Sequence, residues 1–188
     1  MKFTNMLGTK KTVLFDIDKI LAKISISEKQ RVAELGCGNF GFFVFPLANL
    51  VGREGKIYAI DILKEALKEV KSQAESHNLP QVEPVWSDLE VFQATKIETA
   101  SLDAATIINV LSQAIKKANI LKEATRLIKN NGKMLIIDWK LEDIPLGPAP
   151  EKRISQREVK DICSRLGLKI NEEFEAGPYH YGLVLTKL

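Results

Sequence analysis

Cysteine is almost missing from this chain: two residues, Cys37 and Cys163, among 188. That excludes a disulfide scaffold. No Cys/His pair has zinc spacing, so no metal is expected. Long apolar runs are also missing. The most apolar stretch, Phe40 to Val51, is broken by Gly41, Pro46 and Asn49, which is too short for a membrane span. Met1 to Lys11 lacks the apolar core of a secretory leader. Charge of one sign is scarce as well: net charge is +3 and the basic residues are dispersed, so no strong nucleic-acid signal is present. There are no internal repeats and no low-complexity segment. A reduced, cytoplasmic protein is the expectation.

What is present suits one globular domain spanning residues 1–188, large enough to close a core unaided. Val13, Ile17, Ile20, Leu21 and Ile24 suggest a leading amphipathic helix within residues 1–30. From residue 31, strand-like and helix-like patterns alternate, which implies a mostly parallel sheet covered on both faces. Strands are expected at Arg31–Leu35, Lys56–Ile60, about Val82–Trp86, Leu102–Val110 and Met134–Trp139. Leu63, Ala66, Leu67, Val70 and Ala74 mark one helix, and Ala118, Leu121, Ala124, Leu127 and Ile128 another. Asn130-Asn131-Gly132 reads as the stop of the latter. The Pro-rich stretch 140–154 reads as a loop and a possible lid. Ser155-Gln156-Arg157-Glu158 reads as a capping box, ahead of a helix in which Cys163 is a core thiol. Two strands, about Leu168–Glu175 and Tyr181–Lys187, close the chain around Gly177-Pro178. The fold class is α/β: a Rossmann-like seven-stranded sheet, mostly parallel, with one antiparallel C-terminal strand and helices on both faces.

Gly36-Cys37-Gly38-Asn39-Phe40-Gly41 matches G-x-G-x-x-G between a strand and a helix, with Asp61 closing the next strand. The glycines admit NAD as readily as S-adenosylmethionine. Glu34 separates the two. A carboxylate two residues before the first glycine repels a pyrophosphate, which needs positive potential. It attracts the ammonium and sulfonium of S-adenosylmethionine.

These residues carry a resemblance to the class I S-adenosylmethionine-dependent methyltransferases, in the group similar to ubiquinone/menaquinone C-methyltransferases, over about residues 30–188. Glu34-Leu35-Gly36-Cys37-Gly38 resembles the first motif, Tyr58-Ala59-Ile60-Asp61 the ribose-binding strand end, Ser87-Asp88-Leu89 the adenine-bracketing segment, and Leu102-Asp103 through Asn109-Val110 the fourth-strand motif. The resemblance implies S-adenosylmethionine as cofactor, held by Glu34, Gly36, Cys37, Gly38, Asp61, Ile62, Ser87, Asp88, Leu89 and Asn109. One departure stands out: Ser112-Gln113 occupies the place where relatives often carry His-Glu, so no obvious base follows strand four.

Ligands of open parallel sheets bind beyond the carboxyl ends of the strands. That edge would gather Trp139, Tyr179 and Tyr181 around an acceptor, with His180 and Asp138 as candidate catalytic groups. A small-molecule acceptor leads. No Asn-Pro-Pro-Tyr run follows strand four, which argues against methylation of exocyclic amines of bases. The alternatives are a protein side chain as acceptor, a non-catalytic cofactor-binding domain and an NAD-dependent oxidoreductase.

Overall fold

The computed structural model describes residues 15–142 and 144–188. Met1–Lys11 and Val13, the start of the expected leading helix, lie outside them. Within the described chain the order is α1 (Ile17–Ala22), β1 (Arg31–Leu35), α2 (Val44–Val51), β2 (Lys56–Asp61), α3 (Lys64–Ser76), β3 (Val82–Trp86), β4 (Leu102–Ile108), α4 (Lys117–Leu127), β5 (Ile128–Trp139), α5 (Gln156–Arg165), β6 (Leu168–Gly177) and β7 (His180–Lys187). The seven strands form one sheet in the order β3-β2-β1-β4-β5-β7-β6. β1 to β5 pair in parallel, and β7 runs antiparallel to both β5 and β6. β6 therefore points the same way as β5, which brings Gly177 and Trp139 to one edge.

Strand alternation splits the core into two layers. Leu35, Ile60, Ile107, Met134 and Ile136 face α4 and α5, together with Leu121, Leu127, Val159 and Cys163. Val32, Ile57, Ala59, Leu135 and Ile137 face α1, α2 and α3, together with Leu21, Leu47 and Val70. The Ser155 half of the capping box is present: its hydroxyl accepts the Glu158 N–H at 3.1 Å. Burial of Cys163 raises its pKa to about 12, that of an inert core thiol.

Two local expectations differ from the structure. Helix α4 ends at Leu127, and β5 begins at once with Ile128 opposite Leu102. The next paired residues are Ala104 and Lys133, so Lys129 to Gly132 bulge out of a strand already under way. Asn131 takes the left-handed conformation that allows this, with φ 64°. Asn130-Asn131-Gly132 is thus a strand bulge rather than a helix stop. Leu63 is no core residue of α3 either. It sits at the N-cap position, exposed.

Candidate functional site: the glycine loop and the carboxyl edge of the sheet

A pocket of about 410 Å³ opens at the carboxyl edge between β1, β2, β3 and β4. That volume falls in the range of small-molecule sites. Gly36, Gly38, Asp61, Ile62, Ser87, Asp88 and Leu89 line it, so seven of the ten expected cofactor residues meet there. Glu34, Cys37 and Asn109 stand behind this surface.

The glycine loop is built by close approach. Gly36 has φ +81°, and a Cβ there would collide with the Val110 side chain at the end of β4. Gly38 has φ +60° with open space where a side chain would be, facing the pocket. Its N–H donates to Asp61 Oδ2 at 2.9 Å, while Asp61 Oδ1 accepts the Leu63 N–H at 2.9 Å. One carboxylate thereby joins the glycine loop to the start of α3. Each carboxylate oxygen keeps acceptor capacity for a further donor from the pocket side. Ile62, beside it, is half exposed and offers an apolar face.

Glu34 is buried beneath the loop, and its Oε2 has no hydrogen-bond partner among the described residues. Loss of water pushes its pKa well above the ordinary carboxylate value, the Val44 N–H opposes this, and the Asp61 charge adds to the rise. An unpaired buried acid is costly without a compensating donor or cation. Cys37 is buried next to it, with its thiol pKa pushed up by burial and by the Glu34 and Asp61 charges.

The segment after β3 is held from below. The Ser87 hydroxyl bonds that of Thr95 at 2.9 Å, and Asp88 Oδ1 accepts the Glu90 N–H at 2.9 Å. Buried Glu123 of α4 accepts the N–H groups of Gln93 and Thr95 and pairs with Arg126 at 2.7 Å. Glu90 was not among the expected residues, yet it lines the pocket. Its carboxylate accepts the Ile115 and Lys116 N–H groups at 3.2 and 2.7 Å, and its carbonyl accepts from Asn119. It clasps the segment after β3 to the turn before α4. Nothing in local sequence marks it, because its partners lie 25 residues and more away. Val110, Gln113 and Ala114, from the turn after β4, add to the lining, with Leu63, Ile108 and Ile120. Asn109 holds that turn with φ 57°, its buried Oδ1 unpartnered.

The residues expected around an acceptor do not converge. Trp139 pairs with His180 and Asp138 with Tyr181 across β5 and β7, so alternation sends the two pairs to opposite faces. On the α4/α5 side, Asp138 is fully buried and accepts the Ser112 and Trp139 N–H groups at 3.2 and 2.8 Å. Burial raises its pKa, and those amides oppose the rise. The Tyr181 hydroxyl donates to the Ile154 carbonyl at 3.2 Å, and burial raises its pKa. On the other side, His180 is fully buried between Trp139 and Phe15, with ring centroids 4.0 and 4.6 Å away. Among the described residues neither of its ring nitrogens has a partner. Burial, then the Lys140 charge, lowers its pKa to about 4. Tyr179 is half-buried at the tip of the last hairpin, where its carbonyl accepts the Lys140 N–H. None of these five lines the pocket.

The Pro-rich loop after β5 is wound around one side chain. The Arg153 guanidinium is buried and donates to the carbonyls of Lys140, Glu142, Leu146 and Pro148. Gly147, at φ +87°, lies so close over the Trp139 indole that a Cβ would clash with it.

No helix among the described residues is long and apolar enough to cross a membrane. Residues 26–176 match the family model described as a methyltransferase domain. A SAM-dependent methyltransferase of Aquifex aeolicus is 28% identical and superposes with a TM-score of 0.84, over 93% of this chain and 91% of that one. Demethylmenaquinone methyltransferase of Bacillus mycoides is 26% identical over 61% of this chain and 47% of its own length. An uncharacterised 37.1 kDa protein of a Streptomyces fradiae transposon is 29% identical over 72% of this chain and 38% of its own. The chain therefore spans less than half the length of these two curated relatives. S-adenosylmethionine is the expected cofactor, and the unpaired Glu34 oxygen and the glycine cradle fit its cationic end. The fold is that of the SAM-dependent methyltransferases, and the chain belongs to the methyltransferase-domain family.

Proposed function

We propose that this chain transfers a methyl group from S-adenosylmethionine to a small-molecule acceptor. The observation that carries the cofactor half is Glu34: a buried carboxylate with an unpaired oxygen directly under a glycine loop. A pyrophosphate in that loop would meet two carboxylates, Glu34 and Asp61, whereas an ammonium would neutralise one of them. The name of the Bacillus mycoides relative, demethylmenaquinone methyltransferase, supports a small acceptor.

When bound, the cofactor supplies an already activated methyl on a sulfonium. The protein's work is then chiefly orientation. Asp61 and Gly38 fix the ribose side, Ile62 and Leu89 bracket the base and Asp88 holds its polar edge. Glu34 holds the amino-acid end. Val110, fitted against Gly36, sets the floor.

Asp138 acts through the turn after β4. By accepting the Ser112 N–H it positions Val110 and Gln113, which line the pocket. His180, Trp139 and Tyr179 stand outside the pocket, so no part in the transfer is assigned to them.

Titration calorimetry with S-adenosylhomocysteine and with NADH tests the cofactor half. The expected result is binding of the first and none of the second; tight NADH binding alone would reject the reading. A screen of small molecules against labelled cofactor tests the acceptor half. Transfer only to a protein side chain would redirect it.

A further inference from the structure

Among the described residues, twelve large hydrophobic side chains are exposed, and their placement is uneven. Ten lie on strand ends or segments leaving the carboxyl ends of β1 to β5; Leu50 and Leu188 are the two that do not. Ile62, Leu63 and Trp86 sit at the pocket wall or beside it. The rest project outward. Phe40 and Phe42, on either side of Gly41 at the end of the glycine loop, are 64% and 65% exposed with ring centroids 5.3 Å apart. Val91 and Phe92 follow Glu90, and Ile115, next to pocket-lining Ala114, is 90% exposed.

Small-molecule sites are concave. Side chains as exposed as Ile115 and the Phe40–Phe42 pair instead present a convex rim, spread over three separate loops. No ligand of pocket size covers all of them. A broad apolar partner does.

Lysines are interleaved with the rim. Lys116 and Lys117 follow Ile115, Lys122 stands over the Phe92 ring at 4.1 Å, and Lys64 over Trp86 at 5.7 Å. The carboxylates of the same sector, Asp61, Asp88 and Glu90, accept backbone N–H groups and line the pocket. Apolar tips that insert and lysines that meet headgroups are the two signals a reversible attachment to an anionic bilayer needs.

We propose that the rim formed by Phe40, Phe42, Val91, Phe92 and Ile115, with Lys116 and Lys122, docks the carboxyl edge of this sheet onto an anionic lipid surface. The pocket mouth then opens toward the bilayer.

Cosedimentation with phosphatidylcholine vesicles containing about a quarter phosphatidylglycerol tests the docking. The protein is expected to pellet with these vesicles, less with pure phosphatidylcholine, and less at high salt. Phe42→Ser/Ile115→Ser is expected to weaken binding about tenfold or more, and Lys116→Glu/Lys122→Glu to remove the preference for the anionic lipid. Circular dichroism confirms that each variant is folded. Protein that stays in the supernatant with anionic vesicles overturns the proposal. So does a concentration-dependent dimer, abolished by Phe42→Ser/Ile115→Ser without vesicle binding, which would assign the rim to a second copy. Calorimetry with S-adenosylhomocysteine is read separately. Vesicle binding without cofactor binding would remove the methyltransferase reading and leave the docking in place.

Discussion

The Gly38 N–H donates to the Asp61 carboxylate across 2.9 Å, joining the loop after β1 to the end of β2. The two residues are 23 positions apart, and that single bond ties two walls of the pocket together. The same carboxylate accepts the Leu63 N–H, so it holds two loops before any ligand arrives.

Replacing Asp61 by Ala should weaken S-adenosylhomocysteine binding by about 1–3 kcal/mol, the loss of hydrogen bonds to a charged group. Calorimetry checks this. Unchanged affinity would mean that the ribose is held elsewhere.

Gly36 and Gly167 have nearly the same φ, +81° and +79°, but different surroundings. A Cβ on Gly167 meets nothing within 4 Å, whereas one on Gly36 meets Val110. Gly167→Ala should therefore cost only the left-handed strain, about 1–2 kcal/mol. Gly36→Ala should cost more, by denaturant unfolding, and should also impair cofactor binding. Equal losses would show that Val110 yields freely.

His180 gives a pH dependence whose sign follows from its lowered pKa of about 4. Above about pH 6.5 the ring is neutral in both folded and unfolded chains. As pH falls toward 4 the unfolded chain takes up the proton first, so stability is lost across that window. His180→Gln should flatten the slope of unfolding free energy between pH 7 and 5. A slope unchanged by the substitution would place the titrating group elsewhere.

Arg153 serves four carbonyls of the loop after β5, a fork that lysine lacks. Arg153→Lys should speed amide exchange over residues 140–148 and destabilise the chain by about 1–3 kcal/mol, through carbonyls left unsatisfied. Protection at wild-type level would show that the loop is held by other contacts.

Much of this architecture was legible in the chain. The alternation of elements follows from apolar periodicity, the glycine loop and Asp61 from spacing, and Asp88 from the family resemblance. Less legible was which face a strand-end residue takes. Asp138 and Trp139 are neighbours in sequence, yet a two-residue period sends them to opposite layers. His180 and Tyr181 are divided in the same way. Contacts made far along the chain were invisible too: Glu90 to Ile115, Glu123 to Gln93 and Arg153 to the loop carbonyls arise only once the sheet has closed. The bulge at Lys129–Gly132 was hidden because Asn-Asn-Gly serves a helix stop and a strand bulge equally, both needing left-handed backbone.

Glu34 offers the most direct test, because it carries stability and binding in opposite directions. Its folded-state pKa is raised, so the folded chain holds the proton longer, and stability falls as pH rises above about 4.3, the ordinary glutamate value. Glu34→Gln removes that cost and the partner for the cofactor's ammonium together. The measurement is S-adenosylhomocysteine titration and thermal melting of the wild type and of Glu34→Gln at neutral pH. The account predicts that the variant melts higher without ligand and binds about tenfold or more weakly. A variant that binds as tightly as the wild type would contradict it.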